Sequence, residues 1–340
     1  MTSTNSLKYI LALNIFLVTV PFSAKGQDPH FSQYFSSPLM LNPALTGIFP
    51  GDSRVSFSYR NQWNSVQYPY HTGTLSSDIS ILKNKIPEHD ILALGTVGFL
   101  DASNNYGLKV SNIAFSAAYH KSLDLDGFNH LGVGFMFGNT STRLNYNSFV
   151  FEQQLTPSGY NPSLSNGEPI DGFTVKYMDA SAGIHYDFFD GNSNFYIGAA
   201  IFHVNKPRLK GTQAVTEILG PRISVNSGGS LLIGENNRLY LSLLYQKSDV
   251  TEEKIVGSVY GMGLNAFKDN TQLLLGGFYR LNESFAPYAG IQLPYLQAGI
   301  SYDVNVSQLF PGTRGRGGYE LSLSYYFVRD PNRQVNCFRF

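Results

Sequence analysis

Near the end of the chain, Tyr319 to Phe327 alternates strictly: Leu321, Leu323, Tyr325 and Phe327 fall on one side, Glu320, Ser322, Ser324 and Tyr326 on the other. Successive side chains on a strand point to opposite faces, so this period of two reads as a strand with one apolar and one mildly polar face. The polar face is the stronger constraint. A sheet facing bulk water usually carries Lys and Glu there, whereas this one carries mainly hydroxyls. The pattern recurs: Leu239, Leu241, Leu243 and Tyr245 alternate with Tyr240, Ser242, Leu244 and Gln246, and Val55, Phe57 and Tyr59 with Ser56, Ser58 and Arg60. Such strands suit a wall with lipid outside and a polar interior.

Composition agrees with that wall. Charged residues make up 14% of the 340, against roughly 25% in an ordinary soluble protein. The 25 Phe and 22 Tyr fit a lipid-facing band edged by aromatic girdles. A formal net charge of zero gives no long-range field toward nucleic acid, and Arg314-Gly315-Arg316-Gly317-Gly318 reads as a Gly-rich connection, not an RNA-binding tract. No composition break marks a linker. Lys8, the apolar run Ile10 to Val20 and Ala24-Lys25-Gly26 predict a secretory signal peptide over 1–26, cut before Gln27. The single cysteine, Cys337, has no internal disulfide partner. Beyond the leader no run approaches the roughly 18 apolar residues of a spanning helix. An exported chain of this kind enters a membrane as strands.

The alternation and turn signals predict strands at 53–61, 71–82, 91–100, 108–120, 129–138, 176–187, 194–203, 222–233, 238–247, 254–265, 271–280, 285–292, 295–304 and 318–328. Outer-membrane barrels have short periplasmic turns and longer outside loops in alternation. The even connections, 83–90, 121–128, 188–193, 234–237, 266–270 and 293–294, are all short, and the long ones, 139–175, 204–221 and 305–317, fall on the opposite side. Only 281–284 is short where a long loop is expected. The fold expected is therefore all-β: a transmembrane antiparallel barrel of about fourteen strands over 53–328, preceded by a periplasmic or plug segment over 27–52 and followed by a periplasmic tail over 329–340. Both termini then lie in the periplasm, with the barrel integral to the outer membrane.

Closure removes the unpaired edges that hydrocarbon penalises by several kcal/mol per amide. Fourteen strands also enclose more space than the eight-stranded case that side chains fill alone. Arg60, Asp78, His120, His185, Asp187, Arg280 and Asp303 are assigned inward, because in lipid each charge would be costly. The segment before the first strand is a candidate to occupy that interior. Pro29, Pro38 and Pro43 forbid a regular strand or long helix there, and Asn42-Pro43 with Gly47 marks turns. Phe31, Tyr34, Phe35, Leu39, Met40 and Leu41 make it too apolar to float free, so it should dock against or into the periplasmic mouth. Trp63 should sit at the opposite end of the first strand.

Three stretches carry a resemblance. Gln27-Asp28-Pro29-His30-Phe31-Ser32-Gln33-Tyr34, then Leu41-Asn42-Pro43-Ala44-Leu45-Thr46-Gly47, then Arg60-Asn61-Gln62-Trp63, with Asp78 in the second strand, closely resemble the PorP/SprF family of outer-membrane proteins of type IX secretion and gliding. The motifs cover roughly residues 27 to 80. The resemblance implies a non-enzymatic component that docks or retains secreted cargo such as an adhesin at the surface, or links the outer membrane to the periplasmic secretion ring or peptidoglycan-linked proteins. It makes Gln27, Asp28, Pro29, Phe31, Ser32, Gln33, Tyr34, Asn42, Pro43, Ala44, Gly47, Arg60, Gln62, Trp63 and Asp78 the candidate plug or partner-binding residues. A purely structural plug is the competing account of the same residues.

Signals for chemistry are weak. His203 with Asn205 and His185 with Asp187 are the only tempting pairs, and no serine context resembles a nucleophile motif. Asp124-Leu125-Asp126-Gly127 lacks the later ligands of a calcium loop and reads as a turn, as does Asp190-Gly191-Asn192. Neither a metal nor a cofactor is expected. On the outer side Phe149, Phe151 and Tyr160 stand among Ser, Asn, Gly and Pro, a mix suited to protein contact or to a self-packed cap. The alternative function is transport of a small hydrophobic solute, which would require a continuous apolar pocket between plug and wall.

Overall fold

The computed structural model describes residues 29–62, 69–82, 85–103, 107–167, 172–210, 216–249, 251–264, 271–307 and 315–328. The expected leader, Gln27, Asp28, Trp63 and the tail with Cys337 lie outside them. Eighteen strands follow in chain order among the described residues: β1 (Ser53–Gln62), β2 (Tyr70–Ile81), β3 (Ile91–Ser103), β4 (Leu108–Ser122), β5 (Asn129–Asn145), β6 (Leu155–Thr156), β7 (Gly159–Tyr160), β8 (Gly172–Phe189), β9 (Ser193–Phe202), β10 (Arg208–Lys210), β11 (Thr216–Ile218), β12 (Arg222–Ile233), β13 (Asn237–Lys247), β14 (Glu252–Gly263), β15 (Gln272–Arg280), β16 (Ser284–Gln292), β17 (Leu296–Asn305) and β18 (Arg316–Phe327).

Fourteen of them close a barrel in sequence order, all antiparallel, and β1 pairs with both β2 and β18 to seal it. The remaining four make two small hairpins, β6–β7 and β10–β11, in the two longest connections. The period-two pattern sorts the side chains as expected. Phe57, Leu75, Phe115, Leu243 and Leu323 are exposed on the outside, while their chain neighbours Ser56, Ser76, Ser116, Ser242 and Ser324 are buried inside. This is the inverse of a soluble β-sandwich, whose large apolar residues converge between two sheets.

The interior is also less uniformly polar than the hydroxyl-rich strands suggest. Tyr240, Leu244, Ile255, Val259, Leu274, Phe278 and Tyr288 point inward and pack around Tyr34, Leu41 and Leu45 from the segment ahead of β1. On the other side Val97, Ala114, Met136, Ala200 and Phe202 surround Leu39. The dry core of this protein thus lies inside the barrel, between wall and N-terminal segment.

The connections 123–128, 190–192, 234–236 and 293–295 share one end with the start of β1 and the end of β18, while 146–171, 203–221 and 306–315 share the other. Gly191, at φ 90°, turns the chain at the short end, where Asp190 Oδ1 accepts the backbone N–H groups of Asn192 at 2.9 Å and Ser193 at 2.7 Å. Those two donors hold the Asp190 carboxyl below its ordinary range. The largest departure from the expected strands is at the other end. β5 continues to Asn145 and β8 begins at Gly172, so the loop expected over 139–175 is partly sheet.

Candidate functional site

Residues 29–52 run down the inside of the barrel. Three single turns of 3₁₀ helix, Tyr34–Ser36, Pro38–Met40 and Pro43–Leu45, carry the chain, with Pro38 and Pro43 at first positions where no backbone donor is needed. Asn42 caps the third turn by accepting from the Ala44 N–H at 2.9 Å, and its Nδ2 donates to the Ile184 carbonyl of the wall at 2.9 Å. The wall is dented to receive this turn. A Cβ on Gly183 would lie 1.9 Å from Asn42 Oδ1, and one on Gly134 would lie 2.5 Å from both Ala44 N and Pro43 C. Only glycine permits so close an approach of backbone to backbone.

Charges clamp the segment at two levels. At the level nearer the long connections, Glu320 accepts the backbone N–H groups of Ser32 and Gln33, each at 2.8 Å. Arg60 holds Glu320 through Nη1 at 2.7 Å, pairs with Asp303 through Nη2 at 2.7 Å and donates to the His30 carbonyl at 3.2 Å. Ser32 Oγ donates to Asp303 at 2.8 Å and Gln33 Nε2 to Ser301 Oγ at 2.8 Å. Arg280, paired with Glu253 at 2.8 Å and Glu283 at 3.0 Å, reaches Ser32 Oγ at 3.2 Å. At the short-turn level Asp78 accepts the Gly47 N–H at 2.8 Å and grips Arg54 through two bonds at 2.9 and 2.8 Å. Gly47 is at φ 85°, and a Cβ there would come within 2.3 Å of Ala93 Cβ. His120 Nε2 donates to the Thr46 carbonyl at 2.9 Å. Between the levels Ser36 and Ser37 bond to Ser58 and Thr74, and Phe35 rests against Phe278 and Tyr288.

Arg54, Arg60, Asp78, Arg280, Asp303 and Glu320 are buried, where an ion left without its partner costs about 3–5 kcal/mol. The pairs are satisfied only because the segment supplies the remaining donors and acceptors. The chemistry is that of a clamp on a polypeptide backbone.

Phe31, Ser32, Gln33, Tyr34, Asn42, Pro43, Ala44, Gly47, Arg60 and Asp78 are buried together in this interior, and Pro29 is half-buried at its upper end. Gln62 ends β1 opposite Tyr70 and Gly318. Gln27, Asp28 and Trp63 fall outside the described residues. Phe149, Phe151 and Tyr160 are elsewhere, on the connection beyond β5. There Phe151 meets Tyr146 edge to face at 5.9 Å, and Tyr160 pairs with Leu155 in the β6–β7 hairpin. Arg54 and Glu320 belong to the site although no sequence motif singles them out. Their signal was present: an ionic side chain on the inward face of a chain that has few charges. His203, tempting for catalysis, has its Nδ1 at 2.9 Å from Asp179 Oδ1. Among the described residues no three His, Cys, Asp or Glu side chains are grouped to hold a metal.

A closed antiparallel ring, apolar outside and filled inside, defines a β-barrel membrane protein of the outer-membrane type. The sequence profile of the type IX secretion system membrane protein PorP/SprF family matches residues 23–325, and the chain belongs to that family. Its fold and family are those of a secretion-system membrane barrel and of no enzyme class. No curated protein matches the chain. Among solved structures the P. putida toluene transporter TodX is similar, at 9% identity and a TM-score of 0.48 over 85% of this chain and 93% of that one. The translocator domain of autotransporter NalP from Neisseria meningitidis is similar at 12% identity and a TM-score of 0.44 over 87% and 96%.

Proposed function

We propose that this protein is a non-enzymatic docking component of type IX secretion, which holds a secreted protein such as an adhesin at the cell surface. In this reading the short turns, with the start of β1 and the end of β18, face the periplasm and the secretion ring or peptidoglycan-linked proteins. The long connections face outward. The N-terminal segment is a plug, and the leader over 1–26 is removed before it takes its place.

The observation that carries this reading is the filled lumen. Among the described residues, a cavity lined by Tyr34, Phe35, Leu45, Phe49, Arg54 and Tyr326 measures about 40 Å³, room for only a few waters. A conduit for a hydrophobic solute needs a continuous apolar path, so a filled interior favours the barrel as a platform and disfavours the transport reading. Replacing 146–171 by a short turn should leave the barrel folded and release the cargo from cells into the medium. Unchanged surface retention would remove the outer connection from the function. Phe31→Ala with Tyr34→Ala tests the periplasmic alternative, in which loss of co-purification with secretion-ring subunits is the expected result.

A further inference from the structure

We infer that the outer wall of β4, β5 and β8, on the long-connection side of the apolar band, is a binding site for the phosphate of lipid A, the membrane anchor of lipopolysaccharide. The register places the residues. Between β4 and β5, Lys109 stands directly opposite Arg143 and Ser111 opposite Ser141. Between β5 and β8, Ser141 stands opposite Lys176 and Arg143 opposite Thr174. Both ladders run without a register shift, so these side chains share the outward face that carries Ile113, Phe115, Phe137 and Met178, all exposed. Two polar rows thus follow the row of Ile113, Asn139 and Met178: first Ser111, Ser141 and Lys176, then Lys109, Arg143 and Thr174.

This arrangement is unfavourable without an anion. Like charges directly opposite each other on one face of an antiparallel pair repel, and Lys176 adds a third cation on the diagonal from Arg143. Among the described residues no carboxylate pairs with any of the three. Outward cations elsewhere on the wall are neutralised: Lys121, at the other end of β4, has Asp90 at 3.0 Å, and Lys254 on β14 has Glu252 at 3.0 Å. A phosphate seated among Lys109, Arg143 and Lys176 converts their mutual repulsion into attraction.

Chemistry and height select the ligand. Arg143 and Lys176 are exposed and Lys109 is half-buried. A guanidinium offers a planar fork to two phosphate oxygens, the ammonium groups add point charges, and the hydroxyls of Ser111, Ser141 and Thr174 add neutral donors. A strand rises about 7 Å per two residues, so the cations stand about 7 to 14 Å beyond Ile113 and Met178, at headgroup depth. The apolar rows beneath them suit acyl chains, which a soluble phosphate lacks. From the docking reading this inference takes only the outward direction of the long connections, which sets the site in the leaflet that holds lipopolysaccharide.

The test uses purified barrel in detergent and native mass spectrometry, with lipid A, dephosphorylated lipid A, phosphatidylglycerol and inorganic phosphate as probes. Lipid A should give a saturable adduct and the other three should not. Combining Lys109→Gln, Arg143→Gln and Lys176→Gln should weaken that adduct about tenfold or more. Heat-modifiable gel migration reports whether the triple variant folds, and Lys109→Gln alone decides the question if it does not. That single change relieves repulsion from Arg143 but removes a phosphate contact. Its unfolding temperature should equal or exceed that of the unaltered protein without lipid A and fall below it with lipid A. An equal adduct with dephosphorylated lipid A, unchanged binding by the folded triple variant, or a Lys109→Gln effect that lipid A does not alter would overturn the inference. So would equal binding of phosphatidylglycerol or inorganic phosphate, which would make the site one for any phosphate. Binding in detergent is read without cargo or membrane, so failure of the docking reading would leave these outcomes unchanged.

Discussion

Two irregular segments, 29–52 and 146–167, have similar ingredients and opposite fates. Both mix Pro, Asn, Ser and aromatic residues, yet Leu39, Asn42 and Ala44 are completely buried while Val150, Leu155 and Tyr160 stand in the open. The difference lies in what receives them. The first meets buried carboxylates, guanidiniums and wall glycines whose shape and valence it completes. The second makes fewer such contacts: Tyr146 packs on its own Phe151 and on Phe173 of β8. An irregular segment becomes part of a core when the surrounding wall has donors and acceptors that only it can satisfy.

That contrast can be broken most forcefully by deleting residues 29–47. The barrel should change from closed to conducting in planar bilayers, and an unaltered current would show that the segment does not seal the lumen. Asp78→Ala comes next. It strands Arg54 and frees the Gly47 N–H, with an expected loss of about 3–5 kcal/mol in detergent unfolding and faster amide exchange through 45–49. Gly134→Val pushes against the Pro43-Ala44 backbone and should cost about 1–3 kcal/mol while loosening the segment to protease. Shortening 146–171 should change stability by only about 0.5 kcal/mol or less if that connection is as independent as its exposure implies. The smallest effect belongs to Asp190. Its carboxyl pKa is lowered by the Ser193 and Asn192 donors, so its contribution is complete above the ordinary carboxylate value near 3.8 and disappears as pH falls through the lowered value. Asp190→Asn should flatten that acid limb of the unfolding curve and leave the neutral region unchanged.

Much of the barrel was legible because lipid enforces a period of two: β12 has the expected bounds, 222–233, and most other barrel strands lie within a few residues of theirs. Legibility ends where lipid ends. Asn139 to Arg143 and Gly172 to Val175 are extended, but their outward side chains are Asn139, Ser141, Arg143 and Thr174, so no apolar alternation announces them. The interior was half legible. Inward charges could be placed by the cost of the alternative, and Asn42-Pro43 by its turn chemistry, but the union of Ser32 with Glu320 spans 288 positions of sequence. Nothing local records such a pairing. Nor could periodicity show that the segment would pass well beyond the mouth, because its path is set by glycines on strands far along the chain.

The seam between β1 and β18 has a consequence for biogenesis. The segment is gripped by Ser58 on the first strand, Gly183 and Ile184 midway and Glu320 on the last. No complete cage exists until the final strand has arrived, and once the Ser53–Phe327 zipper is shut its guest is enclosed on all sides. The N-terminal stretch must therefore wait for the last strand, and closing the wall around it requires β18 to be in place.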